Sequence, residues 1–261
     1  MADHRAETIA VNGTNIEVLR GGAGAPMLFL HGAGGASEWA PYMDRLAERF
    51  DLIVPSHPGY GRSDTPPWLD DIHDLAFFYL DFMAQLGLEG VHLAGNSLGG
   101  WLAAEIAVRS TARLKTLTLV SPGGLHIKGV QKGDIFLWSN EQRVRKTFYD
   151  QAMAEARLAA NVGEEAADIA LKNHFTTAKL AWSPRFHDPS LHKWLHRIDV
   201  PTMIVWGEND LIFPVALAEA YRKGIPGAQV RIVPECGHLP QQEKLDDFLT
   251  AVDAITGGAA R

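Results

Sequence analysis

From residue 26 to residue 122, short apolar runs alternate with amphipathic stretches, and this rhythm restricts the fold more than any other feature of the chain. "PMLFL" (26–30), "DLIVP" (51–55), "VHLAG" (91–95) and "LKTLTLVSP" (114–122) read as buried strands. Between them, "EWAPYMDRLAERF" (38–50), "IHDLAFFYLDFMAQLGL" (72–88) and "LGGWLAAEIAVRS" (98–110) carry apolar residues at helical spacing. Strands that alternate with helices predict βαβ units, and therefore a mostly parallel sheet with helices on both faces. Ahead of them, "ETIAV" and "NIEVL" flank Asn12-Gly13, a strong hairpin signal.

The rhythm breaks after residue 122. Residues 125–197 contain helical stretches such as "SNEQRVRKTFYDQAMAEARLAA" and "EEAADIALKNHF", with no strand between them. It returns at "PTMIVWG" (201–207), "PVALAEAYRKG" (214–224), "AQVRIVP" (228–234) and "QQEKLDDFLTAVDAI" (241–255). The expected organisation is an α/β core formed by 1–124 and 198–261, interrupted by a helical cap at 125–197. A length of 261 residues suits one large domain with one such insertion. The small basic excess within 125–197 reads as a solvated helical surface, and the tail "TGGAAR" is expected to fray.

Several function classes fall away on composition. A net charge of −7 argues against nucleic acid as a partner. Cys236 is the single cysteine, so no intramolecular disulfide can form and a reducing compartment is expected. The start "MADHRAETIA" lacks the apolar region of a signal peptide, and no apolar run approaches a membrane span, so a cytoplasmic location is expected. No His, Cys and carboxylate set has metal-ligand spacing. "RGGAGAP" (20–26) leads into a strand rather than a helix and does not fit a phosphate loop.

The chemistry concentrates at "GNSLGG" (95–100), where Gly95-Asn96-Ser97-Leu98-Gly99 matches G-x-S-x-G between a strand and a helix. A serine on so sharp a turn needs small neighbours, and Gly95, Gly99 and Gly100 meet that need. The helix that follows aims its N–H groups and positive dipole end at the hydroxyl. A serine nucleophile requires a base, and the base requires an orienting acid. Asp210, in "WGENDLIFP", and His238, in "PECGHLPQQE", both follow predicted strands, at the edge where sites form in open α/β sheets. The order Ser97, Asp210, His238 is the order expected of a nucleophile elbow. Glu208 competes with Asp210 for the acid role, and Asp210 could instead cap the helix opening near Val215. For the oxyanion hole, the Leu98 amide is one donor and Ala33, in "HGAGG" (31–35), the other, with Gly32 and Gly34 admitting close approach of a substrate. His31 is assigned a loop-shaping role and His57 a structural or pocket-lining one, and Cys236 is read as a small apolar residue. Trp101, Phe136, Trp138 and Leu239 are candidates to line the substrate pocket, with Trp182 and Phe186 as further apolar residues of the cap.

With these residues in place, the chain resembles the α/β-hydrolase superfamily, specifically its capped carboxylesterases and its carbon–carbon bond hydrolases of meta-cleavage products. "HGAGG", "HPGYGRSD", "GNSLGGW", "GENDLIFP" and "CGHLPQQE" carry the resemblance and span most of the chain outside 125–197. It implies an eight-stranded mostly parallel sheet, a helical cap, no cofactor and a small-molecule ester or related carbonyl substrate. It also assigns the acid to Asp210 rather than Glu208. A serine at the elbow argues against the dehalogenases and epoxide hydrolases of the superfamily, which use aspartate there. The carbon–carbon bond hydrolases usually carry an aromatic residue after the catalytic histidine; here Leu239-Pro240 follows, which favours a carboxylesterase. A hydrolase-like receptor with little turnover is the alternative from another class.

Overall fold

The computed structural model describes residues 3–160 and 163–257. Strands β1 (His4–Val11) and β2 (Thr14–Gly21) pair antiparallel and form the expected hairpin. Asn12 and Gly13 take φ of 48° and 79°, the pair of positive values that a type I′ turn demands and that matches strand twist. The alternation follows: β3 (Ala25–Leu30), α1 (Pro41–Ala47), β4 (Phe50–Pro55), α2 (Ile72–Gln85), β5 (Val91–Asn96), α3 (Leu98–Arg109) and β6 (Leu114–Val120). Next, among the described residues, come α4 (Asn140–Thr147), α5 (Gln151–Ala159), α6 (Glu164–Ala181), α7 (Leu191–Trp194) and a 3-10 turn at Leu195–Arg197. Their one β-type pairing is an isolated bridge between Gly124 and His187. The chain then completes the sheet with β7 (Thr202–Gly207), α8 (Ala216–Gly224) and β8 (Gln229–Val233), and ends in α9 (Pro240–Glu243) and α10 (Leu245–Thr256).

The eight strands lie in the order β1-β2-β4-β3-β5-β6-β7-β8. β2 pairs antiparallel with β4, and every pairing from β4 to β8 is parallel. Strands β3 to β7 are covered on both faces, which is why they read as nearly unbroken apolar runs. Successive residues point to opposite faces: Leu28 and Leu30 join one core with α2, α3 and α8, while Met27 and Phe29 join another with α1 and α10. Among the described residues no helix is long and apolar enough to cross a membrane.

Element ends differ from expectation where capping intervenes. The stretch read as one helix from 139 divides at Phe148–Asp150, because the Asp150 side chain accepts the Ala152 N–H at 2.8 Å and starts α5 afresh. The predicted helix at 38–50 shrinks to Pro41–Ala47, and the one at 241–255 is split by Lys244. The fraying expected at the carboxyl end falls, for 258–261, outside the described residues.

The crossing of β5 and α3 against β3 leaves no room for side chains. A Cβ on Gly99 would overlap the Leu30 carbonyl oxygen, and one on Gly95 would overlap the Gly99 carbonyl oxygen. Gly99→Ala is therefore expected to destabilise the fold by about 3 kcal/mol, the upper range for overpacking. Urea unfolding checks this, and an unchanged midpoint would show that α3 can move away from β3 freely.

Candidate active site

Ser97 joins β5 to α3 with φ 58° and ψ −115°, outside the regions that a residue with a Cβ normally occupies. Such a conformation costs about 1–3 kcal/mol and persists only where its surroundings impose it. Here its N–H donates to Val120 O at 2.9 Å, and its carbonyl accepts from Trp101 N at 3.0 Å and Gly123 N at 3.1 Å. Leu98 and Gly99 open α3, so their N–H groups have no partner within the helix and point, with the helix dipole, toward the turn.

Asp210 stands in the turn after β7. Its Oδ1 accepts the N–H groups of Ile212 at 2.8 Å and Phe213 at 2.9 Å, and its Oδ2 lies 2.7 Å from His238 Nδ1. The turn is held in its own right by Trp206, whose indole N–H donates to Phe213 O at 2.8 Å. The Asp210 and His238 side chains are only 0% and 5% exposed, so water does not compete for this bond. A carboxylate only accepts, so Nδ1 carries the proton and Nε2 presents its lone pair. That Nε2 is buried and, among the described residues, makes no hydrogen bond, to Ser97 Oγ included. Asn96, next to Ser97, donates from Nδ2 to Val120 O at 3.3 Å and to His238 O at 3.4 Å, tying the histidine loop to the serine turn. The arrangement can take a proton at Nε2 while the carboxylate balances the charge that results.

The loop after β3 lies against the serine. A Cβ on Gly32 would stand 3.1 Å from Ser97 Cβ and 3.1 Å from Asn96 Oδ1, whereas Gly34 faces open space. Two buried histidines shape this loop. Tyr79 O–H faces His57 Nδ1 at 2.6 Å, His57 Nε2 faces His31 O at 3.0 Å, the His57 backbone N–H donates to His31 Nε2 at 2.9 Å, and His31 Nδ1 faces Gly32 O at 2.7 Å. Each carbonyl needs a ring N–H and each remaining ring nitrogen needs a lone pair, so both imidazoles are neutral with defined tautomers. Burial pushes His31 down to about 4 from the ordinary 6.5. Burial first, and then the neighbouring His31, holds His57 well below the usual value.

This network makes stability depend on pH. Between pH 6.5 and about 4 the unfolded chain binds a proton at residue 31 that the folded chain refuses. Stability is therefore present above 6.5 and falls as pH drops toward 4, by about 3 kcal/mol for His31 alone. Urea midpoints from pH 7.5 to 4 should show this slope, and His31→Gln should lessen it, leaving the share that buried His57 contributes. An equal slope in the variant would refute the assignment.

Helix α6 is fastened to the same loops through a polar stripe. Asn173 donates from Nδ2 to Gly34 O at 3.0 Å and accepts Gly61 N–H on Oδ1 at 2.9 Å. Thr177 Oγ1 donates to Asn173 O of its own helix at 2.8 Å and lies 3.4 Å from Ala33 O, Thr176 Oγ1 donates to Gly59 O at 2.7 Å, and Lys172 Nζ reaches Ser63 O at 2.6 Å. Asn173, Thr176 and Thr177 are buried yet polar, a pattern that hydrophobic periodicity passes over. The signal available in the sequence was the i, i+3, i+4 recurrence of Asn and Thr on the face opposite exposed Leu171 and Phe175.

Of the residues expected around a substrate, Phe136 belongs to a chain of rings leading to the histidine. Phe136 and Phe186 centroids lie 5.3 Å apart, Phe186 and Phe213 5.6 Å, and Phe213 and His238 5.3 Å. Phe213 was not anticipated. Trp138 lies further out, with Lys146 Nζ 5.2 Å from its ring, and Leu239 is half-buried beside His238. Trp101 is buried and spends its indole N–H on Glu105 at 2.9 Å, packing into the core behind Ser97. Cys236 is fully buried in the second core, and burial pushes its thiol up. Ligand atoms of His73, Glu105 and Asp188 lie within 4.8 Å of one another. The Arg109 guanidinium already bonds Glu105 Oε2 at 2.6 Å and His73 Nδ1 at 2.6 Å, so positive charge is supplied there by the chain itself.

A family model described as alpha/beta hydrolase family matches residues 27–251. The chain is 30% identical over 261 residues to the dihydrolipoyllysine-residue acetyltransferase component of the acetoin cleaving system of Cupriavidus necator, covering 95% of this chain and 68% of that protein. It is 29% identical over 255 residues to the 2-hydroxy-6-oxo-6-phenylhexa-2,4-dienoate hydrolase of Comamonas testosteroni, covering 87% of this chain and 86% of that one. Among solved structures, a bacterial membrane phospholipase A superposes with a TM-score of 0.79 at 26% identity, over 97% of this chain and 86% of that chain.

Proposed function

The chain belongs to the alpha/beta hydrolase family, and we propose that within it the protein is a serine carboxylesterase acting on small to medium esters. The observation that carries this reading is the Asp210–His238 pair at 2.7 Å, whose free Nε2 is buried in the site that also holds the strained Ser97. His238 Nε2 removes the Ser97 proton as Oγ attacks the ester carbonyl carbon. The resulting oxyanion is held by the N–H groups of Ala33 and Leu98, each donor being worth about 3 kcal/mol in the transition state. Collapse expels the alcohol, which takes the proton from His238 and leaves an acyl group on Ser97. Water, deprotonated by the same Nε2, then attacks the acyl carbon, and collapse releases the acid while Ser97 Oγ takes the proton back from His238.

In this reading residues 125–197 form the cap, and the ring chain Phe136–Phe186–Phe213 supplies an apolar wall for the acyl or alcohol group. The relative named as a membrane phospholipase A supports ester cleavage. The relative named as a dienoate hydrolase supports the neighbouring carbon–carbon chemistry, but Leu239 gives the position after the histidine an aliphatic side chain. Initial rates on p-nitrophenyl esters from acetate to decanoate test the proposal. Turnover with a chain-length optimum is the expected result. Negligible turnover together with cleavage of a vinylogous 1,5-diketone would replace it by the carbon–carbon reading, and binding of either class without turnover would indicate a receptor.

A further inference from the structure

Five residues beyond His238, Glu243 ends α9 and turns its carboxylate back toward the histidine loop. Oε1 accepts the Gly237 N–H at 2.9 Å. Oε2 accepts the N–H groups of Tyr149 at 2.7 Å and Asp150 at 3.1 Å, which belong to the link between α4 and α5. Beside these bonds, the His238 N–H donates to Thr147 O at 2.8 Å. One carboxylate thus grips two backbone segments far apart in sequence, Gly237 and Tyr149–Asp150. The segments lie in direct contact, since a Cβ on Gly237 would stand 2.8 Å from Tyr149 N and would overlap Thr147 O. No basic side chain forms an ion pair with Glu243 among the described residues, so backbone N–H dipoles hold the half-buried carboxylate in place. A bond network of this kind exceeds what is needed to end a four-residue helix.

We propose that Glu243 is a positioning residue that locks the His238 loop to the 147–150 segment of the cap, so that the imidazole is aligned with Ser97 only while the cap is seated. The proposal rests on the esterase reading of Ser97 and His238. Two properties of the carboxylate are needed: an acceptor oxygen for each segment, and the reach of a glutamate. Glu243→Gln keeps the reach but turns an NH2 group toward a backbone N–H on one side. Glu243→Asp keeps both acceptors but is one methylene shorter in reach.

The test compares the wild type, Glu243→Gln and Glu243→Asp, assayed below their unfolding temperatures with folding checked by near-UV circular dichroism. The readouts are the labelling rate of Ser97 by a fluorophosphonate, and kcat and KM on the best p-nitrophenyl ester. Labelling and kcat should fall together in Glu243→Gln by about 10- to 100-fold, the effect of an ångström-scale misplacement, while KM stays within about threefold. Glu243→Asp should recover part of the loss. A folded Glu243→Gln with wild-type labelling and kcat would overturn the proposal, as would a change confined to KM. If Glu243→Gln does not fold, Glu243→Asp decides alone, and wild-type kcat in it would overturn the proposal. A wild type that resists labelling would overturn the esterase reading and this proposal with it.

Discussion

Ser97→Ala is expected to lower kcat for ester hydrolysis by about 10⁵-fold or more while leaving the fold intact. The magnitude follows from the way a nucleophile, base and acid act as a unit: removing the nucleophile forfeits the acyl-enzyme route and leaves only what the oxyanion donors and binding supply to direct water attack. The fold should survive because alanine keeps the Cβ and the backbone at φ 58° is imposed from outside, by Val120, Trp101 and Gly123. The strain of about 1–3 kcal/mol is therefore the same in both proteins. Matched kcat and urea-unfolding measurements check both halves. Retained turnover by purified Ser97→Ala would remove Ser97 from the mechanism.

Asp210→Asn should cost nearly as much, on the order of 10⁴-fold in kcat, although it changes one atom. The reason lies in the other bonds of Asp210. Its Oδ1 already accepts two backbone N–H groups, from Ile212 and Phe213. An asparagine must keep its carbonyl oxygen on that side, because an NH2 there would face two donors. Its NH2 then points at His238 Nδ1, which has to become an acceptor. The ring proton moves to Nε2, and an Nε2–H cannot receive the proton of Ser97. The variant also loses the negative charge that balances the imidazolium formed during attack. Measuring kcat across the pH range of the wild type would show the loss throughout, and a decline of less than tenfold would mean that Asp210 does not set the tautomer.

These two effects rest on residues that are legible from the sequence, whereas the pH window of His31 and the strap of Glu243 are not. The elbow is legible because its demand is local: a sharp turn between strand and helix needs small residues, and Gly95, Gly99 and Gly100 answer it within six positions. Asn12-Gly13 is legible for the same reason, since the type I′ turn is written in two residues. The break of the 139–160 stretch at Asp150 was missed although the cap is local, because apolar periodicity continues across it. His31 reads as a shaping residue, but its partner His57 lies 26 residues beyond it, and Tyr79 a further 22 beyond His57, and neither could be chosen from many alternatives.

By itself the sequence determined the alternating elements, the two-sided burial of the strands, the strained serine turn and the order of Ser97, Asp210 and His238. All of these follow from backbone sterics and side-chain period, which act over a few residues. Only the tertiary structure decided that Asn173 grips the carbonyl of Gly34 and Thr176 that of Gly59, that Phe213 stands between Phe186 and His238, and that Glu243 joins Gly237 to Tyr149 and Asp150. Such bonds depend on which distant segments share a buried space, and a single polar residue on a helix carries no mark of the backbone group it will meet there.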